Sequence, residues 1–159
     1  MLAAGIVFVL AGVALRLYSA GILRKDRSLQ RRGPYGFCRN PLYLGTIMLM
    51  LGFAFLAGSW ALVILTLAVF TAVYLWVIIL EERWLRAVFG EVYETYLKET
   101  PRLLPTPRSL LRLFEPVPFS LKQARVNHEH KTFVAGILGL GVFLLKYGLG
   151  LWLLPFHLW

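Results

Sequence analysis

The chemistry this sequence can offer is concentrated in Arg39-Asn40-Pro41-Leu42-Tyr43-Leu44-Gly45 and in the acidic pair Glu81-Glu82. Asparagine is favoured at a helix N-cap and proline at the first helical position, so Asn40-Pro41 reads as a helix start. The free N–H groups of such a start, together with its macrodipole, attract an anion. Arg39 adds a planar fork suited to carboxylate or phosphate. Glu81 and Glu82 close the next apolar run. Carboxylates at a helix C-terminus oppose its dipole by roughly 0.3–1 kcal/mol each, so they need a partner or a helix that continues. A site built from both ends would hold a small zwitterion, its carboxylate on Arg39 and its ammonium on a glutamate. A sulfonium could rest on a nearby aromatic face (Tyr35, Tyr43, Trp84, Tyr93 or Tyr96), worth about 0.5–2 kcal/mol. The methionine half of S-adenosylmethionine has all three features, as compatible chemistry rather than identification.

The elements that must position these residues are apolar. Of 159 residues, 58% are hydrophobic, and the mean hydropathy of +0.68 is too high for a soluble domain of this size. Four runs, roughly 2–22, 41–57, 61–80 and 133–154, approach or exceed the 17–25 residues that cross a bilayer. The expected fold is therefore an all-α integral membrane protein with about four transmembrane helices. It forms one membrane domain over 1–159, with an extra C-terminal span at about 132–155. The second and third runs are joined only by Ala57-Gly58-Ser59-Trp60, which makes them an antiparallel hairpin. Helices so joined pack about 8–10 Å apart, bringing the positive site near the negative one.

Fifteen of the 17 basic residues lie in 23–40 and 81–131. The positive-inside rule puts both regions in the cytoplasm, in a plasma (inner) membrane, and both termini outside. The net charge of +9 reads as this bias plus attraction to anionic lipids. Because the basic residues border membrane helices, a nucleic-acid partner is not expected. The first run reads as a retained span, since no basic residue precedes it and Arg16 follows its core; Arg16 is expected to snorkel to the interface. Residues 31–36, with two glycines and a proline, read as loop. Leu85, Val88, Phe89, Val92, Tyr93 and Tyr96 recur at helical spacing, an amphipathic helix about 14 residues long lying on the cytoplasmic surface. Residues 108–131 read as a surface loop with one short helix, followed by a last helix that starts after Lys131 and ends near Pro155. Lys146 lies deep in that last run and reads as snorkelling to the outer interface. Cys38 reads as inert filler. No metal site is expected: His128 and His130, two apart, do not share a helix face.

The order GPYGFCRNPLYLG, an apolar hairpin, then EERWLRAVFGEVYETYLKETPRLLP resembles the isoprenylcysteine carboxyl methyltransferase family and related phospholipid methyltransferases. That pattern is Arg-His-Pro-x-Tyr-x-Gly, a hairpin, Glu-Glu, Phe-Gly-x-x-Tyr-x-x-Tyr and a closing proline. It is matched by Arg39, Pro41, Tyr43, Gly45, Glu81, Glu82, Phe89, Gly90, Tyr93, Tyr96 and Pro101, over about 30–105. The resemblance implies S-adenosylmethionine at the cytoplasmic face and a lipid-like or prenylated acceptor entering from the bilayer. The cofactor-binding candidates are Tyr35, Gly36, Arg39, Asn40, Pro41, Tyr43, Glu81, Glu82 and Tyr93, with Arg39 and Glu82 as catalytic candidates. The family's histidine is Asn40 here, so no base can act from that position.

Two other functions fit part of this pattern. Membrane sterol-type reductases carry a similar motif and use NADPH, but usually place an acidic residue after the glycine where this chain has Thr46. A non-catalytic scaffold built on the same helices is the third. For the residues themselves, Glu81 and Glu82 pairing with Arg83 and Arg86 on a solvated face is the plainer alternative.

Overall fold

The computed structural model describes residues 1–24 and 29–150. Among these every regular element is a helix, with no strand. The long helices are α1 (Leu2–Ile22), α3 (Pro41–Leu56), α4 (Trp60–Glu99) and α7 (Glu129–Gly148); the short ones are α2 (Pro34–Phe37), α5 (Pro107–Leu110) and α6 (Leu121–Val126), with a 3₁₀ turn at Leu111–Phe114. α1, α4 and α7 are long and apolar enough to cross a membrane, whereas α3 has only 16 residues. At 1.5 Å per residue α3 is about 24 Å long, short of the roughly 30 Å hydrocarbon core. Among the described residues three helices are thus long and apolar enough to span, where four were expected.

α1 and α3 make the most extensive helix pair, and glycines set their approach. A Cβ on Gly12 would lie 2.7 Å from the Gly45 carbonyl oxygen and 2.7 Å from the Leu49 nitrogen; one on Gly52 would lie 2.7 Å from the Val9 nitrogen. Small residues permit such backbone contact where lipid offers no hydrophobic drive between helices. Val9, Val13, Leu49, Leu56 and Leu140 pack beside this seam, and Gly136 of α7 closes on Val13. The turn after α3 is tight, as its sequence implied. Gly58 takes φ 75, and Ser59 caps α4 through Leu62 N.

Four expectations change. The third helix and the amphipathic stretch are one element, α4, so Glu81 and Glu82 do not end a helix. The break comes instead at Gly90 (φ 51, ψ −131), a conformation open essentially to glycine alone. Beyond it Tyr93 and Tyr96 turn inward and are buried. The loop expected at 31–36 contains α2, because Pro34 occupies the first helical position and Gly33, at φ 60, supplies the left-handed entry. Residues 108–131 hold α5, the 3₁₀ turn and α6 rather than one short helix. The last helix starts at Glu129, three residues early; its expected end near Pro155 lies outside the described residues.

Arg16 does not snorkel. Its guanidinium grips Glu129 in a two-pronged ion pair (2.6 and 2.9 Å), donates to the Thr46 hydroxyl, and reaches the Leu42 carbonyl at 3.3 Å. Glu129 is 4% exposed. One buried pair therefore ties α1, α3 and the start of α7 together.

Candidate functional site

The hairpin brings the two expected poles together. Arg39, just before α3, forms an ion pair with Glu82 of α4 at 3.0 Å. Glu82 is buried and also holds Arg102, at 3.2 and 2.9 Å. The plainer alternative, pairing of the acidic residues with Arg83 and Arg86, is not seen; Arg86 instead bridges to Glu94 across the Gly90 break. Hydrogen bonding to Glu82 raises the Arg102 pKa above its ordinary value. With two cations on one carboxylate, this unit keeps a residual positive charge.

The chain after α4 is strapped across the start of α3. Arg39 N donates to the Pro101 carbonyl (2.8 Å), and the Asn40 amide donates to the Arg102 carbonyl (2.9 Å). Asn40 therefore occupies the N-cap position without capping; its side chain makes no hydrogen bond to the first turn of α3. Leu103 follows the strap into a core with Phe37, Cys38, Leu44, Ile47 and Ile78. Tyr96 OH donates to the Tyr35 carbonyl at 2.7 Å, fixing α2 against the end of α4.

Beside this strap lies a cavity of about 460 Å³, within the roughly 300–1,000 Å³ usual for small-molecule sites. Tyr35, Arg39, Asn40, Pro41, Tyr43, Glu81 and Tyr93 all line it, seven of the nine expected binding residues. Gly36 and Glu82 do not. Gly36 sits in α2, where an added Cβ would press on Arg112 and the Arg31 carbonyl. Glu82 lies behind Arg39 and acts on the cavity through it. Glu81 accepts a hydrogen bond from Tyr43 OH (2.9 Å), and Tyr43 stacks on Tyr74 at 5.1 Å. Trp84 and Phe89 extend the aromatic wall.

Two buried polar atoms at this cavity have no hydrogen-bond partner among the described residues, Tyr35 OH and Arg39 Nε. Burial holds the Tyr35 phenol well above its usual pKa, so it stays a neutral donor. The site can thus offer an anion a guanidinium and a phenol, and a cation the Glu81 carboxylate and aromatic faces. Sequence reasoning missed Arg16, Arg102 and Tyr74. Arg102 stood directly after the proline that closes the motif; the other two carried no local signal.

Cys38 is fully buried, and desolvation raises its thiol to about 12. At pH 8 only about one thiol in 10⁴ is then ionised, so the folded protein should resist iodoacetamide and label only on denaturation. Fast labelling of native protein would contradict this packing. The sign for stability is also set. The unfolded thiol ionises from about pH 9 while the folded one stays protonated, so this group's contribution falls between about pH 9 and 12.

A family model described as phospholipid methyltransferase matches residues 2–92. The chain is 36% identical over 89 residues to the cobalt-zinc-cadmium resistance protein CzcN of Cupriavidus metallidurans, covering 56% of this chain and 40% of that protein. It is 32% identical over 97 residues to the protein-S-isoprenylcysteine O-methyltransferase of Schizosaccharomyces pombe, covering 61% and 41%. The chain thus spans about two fifths of the length of these curated relatives. No solved structure matches it.

Proposed function

The chain belongs to the phospholipid methyltransferase family, and from that membership we propose that it is an S-adenosylmethionine-dependent methyltransferase for a lipid-like or prenylated acceptor. The observation that carries this reading is the single cavity faced by both Arg39 and Glu81. The residues present fit the cofactor's amino-acid end. The unpartnered Arg39 Nε and the uncapped start of α3 suit its carboxylate, and Glu81 suits its ammonium. Bound there, S-adenosylmethionine would supply an electrophilic methyl group.

The chain's own residues then align and exclude water. The rigid Glu82–Arg39 pair and the strap at Pro101–Arg102 fix the fork, and the aromatic wall keeps the reacting region dry. A carboxylate acceptor needs no base. An amine acceptor must lose a proton, which desolvation in the cavity assists; Glu81 is kept for the cofactor's ammonium. Asn40 cannot titrate and is occupied by the Arg102 carbonyl. The acceptor enters from the bilayer past Tyr74 and Trp84, and the basic end of the bundle faces the cytoplasm.

The reductase alternative loses ground at Thr46. That side chain takes a hydrogen bond from Arg16 and donates to the Leu42 carbonyl (3.0 Å), so it serves the helix packing. Calorimetry should show binding of S-adenosylhomocysteine and none of NADPH, and labelled methyl should pass into a lipid extract. Binding of NADPH alone would replace the proposal with a reductase, and binding of neither with a scaffold.

A further inference from the structure

A second cleft, of about 760 Å³, lies on the other side of Arg39, between the end of α4 and the segment Thr106–Arg112. We propose that it binds the phosphate of an anionic phospholipid whose chains lie against Leu110, Leu111 and Phe114. This inference rests on the membrane-spanning reading of the helices and does not depend on methyl transfer.

Charge is the first observation. Lys98, Arg108 and Arg112 line the cleft, with the Glu82-paired Arg39 at its edge, against one carboxylate, Glu99, which is already paired with Arg31 at 2.9 Å. Lys98, Arg108 and Arg112 have no carboxylate within ion-pair distance among the described residues. Such a cleft repels a sulfonium and an ammonium and attracts a phosphate. The second observation is a buried donor at its wall: Thr100 is 2% exposed, borders the cleft, and its hydroxyl has no partner among the described residues. The cleft is also shaped in advance. Thr106 and Ser109 lock each other in a reciprocal capping box, which fixes the backbone that carries Arg108.

The apolar side of the same segment points to a lipid rather than a soluble phosphate. Leu111 and Phe114 are 78% and 80% exposed, the most exposed large apolar residues described, and Leu110 is 48% exposed. In Pro107-Arg108-Ser109-Leu110-Leu111-Arg112-Leu113-Phe114 the cations line the cleft while these three apolar residues stay outside. Their height is set by neighbours. The 3₁₀ turn packs on α2, and the chain onward is pinned to the end of the α1 span by Ser120 N to the Gly21 carbonyl (3.1 Å) and by Asn127 to the Ala20 and Leu23 carbonyls. That is headgroup level, where a short element with apolar and basic sides is stable.

Native mass spectrometry of delipidated protein tests this, with phosphatidylglycerol and phosphatidylcholine as probes. Phosphatidylglycerol should be retained and phosphatidylcholine should not. Each basic residue near an anionic lipid is worth about fivefold, so Arg108→Gln with Arg112→Gln should weaken retention about 30-fold. Lys98→Gln, on the exposed end of α4, should weaken it about fivefold and serves if the double variant does not fold. Leu111→Ser with Phe114→Ser should also weaken it, whereas S-adenosylhomocysteine binding, governed by the other cavity, should be unchanged in Lys98→Gln. Equal retention of both lipids, or undiminished phosphatidylglycerol in the basic variants, overturns the assignment. Displacement by inorganic phosphate as effective as by short-chain phosphatidylglycerol would also overturn it, in favour of a soluble phosphate compound.

Discussion

Glu82→Gln is expected to lower methyl transfer about 100-fold and to bring thermal unfolding to a lower temperature. The carboxylate it removes lies between two guanidiniums, 3.0 Å from Arg39 and 2.9 Å from Arg102. Removing one member of a buried ion pair costs about 3–5 kcal/mol. The lower end applies here, because the Arg102 side chain is 42% exposed and water can recover part of its charge. The activity loss has a separate cause. Arg39 has no other carboxylate partner among the described residues, so its fork is no longer held, and misplacement by about 1 Å can cost about 100-fold. The two effects separate in Glu82→Gln/Arg102→Gln. Relieving the repulsion should restore part of the melting temperature and none of the activity, as read by a melt and a labelled-methyl assay on the same samples. Wild-type activity in Glu82→Gln would show that Arg39 needs no anchor.

Gly12→Leu is expected to abolish a stable, monodisperse fold in detergent. Even the first carbon added at Gly12 meets backbone at 2.7 Å on both Gly45 and Leu49, and backbone cannot rotate away as a side chain can. Overpacking commonly costs about 1–3 kcal/mol, occasionally more, and this case belongs at the upper end. A protein of this size loses roughly 2–4 °C in Tm per kcal/mol, so a fall of about 10 °C or outright aggregation should be seen. Gly141→Ala on α7 is the matched control: nothing lies within 4 Å of its added carbon, and its Tm should hold. Equal melting of both variants would mean that α1 and α3 do not touch through their glycines.

The hairpin, the helix start at Pro41 and seven residues of the cavity were legible because each is encoded locally. A four-residue turn, a proline with its preceding asparagine, and acidic residues closing an apolar run are all visible at short range. What escaped is pairing at a distance. Arg16 reads by itself as an interfacial cation, and nothing near it in sequence points to Glu129, 113 positions later. Glu82 reads as surplus charge at a helix end until Arg102 folds back over it. Local signals were also given the wrong sign. Gly33 and Pro34 act as helix breakers in most settings; here one supplies the left-handed entry and the other the first turn of α2. The Gly90 break was hidden because the apolar period continues on both of its sides, and only its positive φ interrupts the helix.

The Arg16–Glu129 pair sets an order on biogenesis. Arg16 is made more than a hundred residues before the carboxylate that neutralises it, and that carboxylate lies outside the stretch matched by the family model. Until Glu129 is made, the α1–α3 seam carries a guanidinium whose carboxylate partner does not yet exist. A chain that stops before Glu129 therefore lacks the carboxylate that neutralises Arg16.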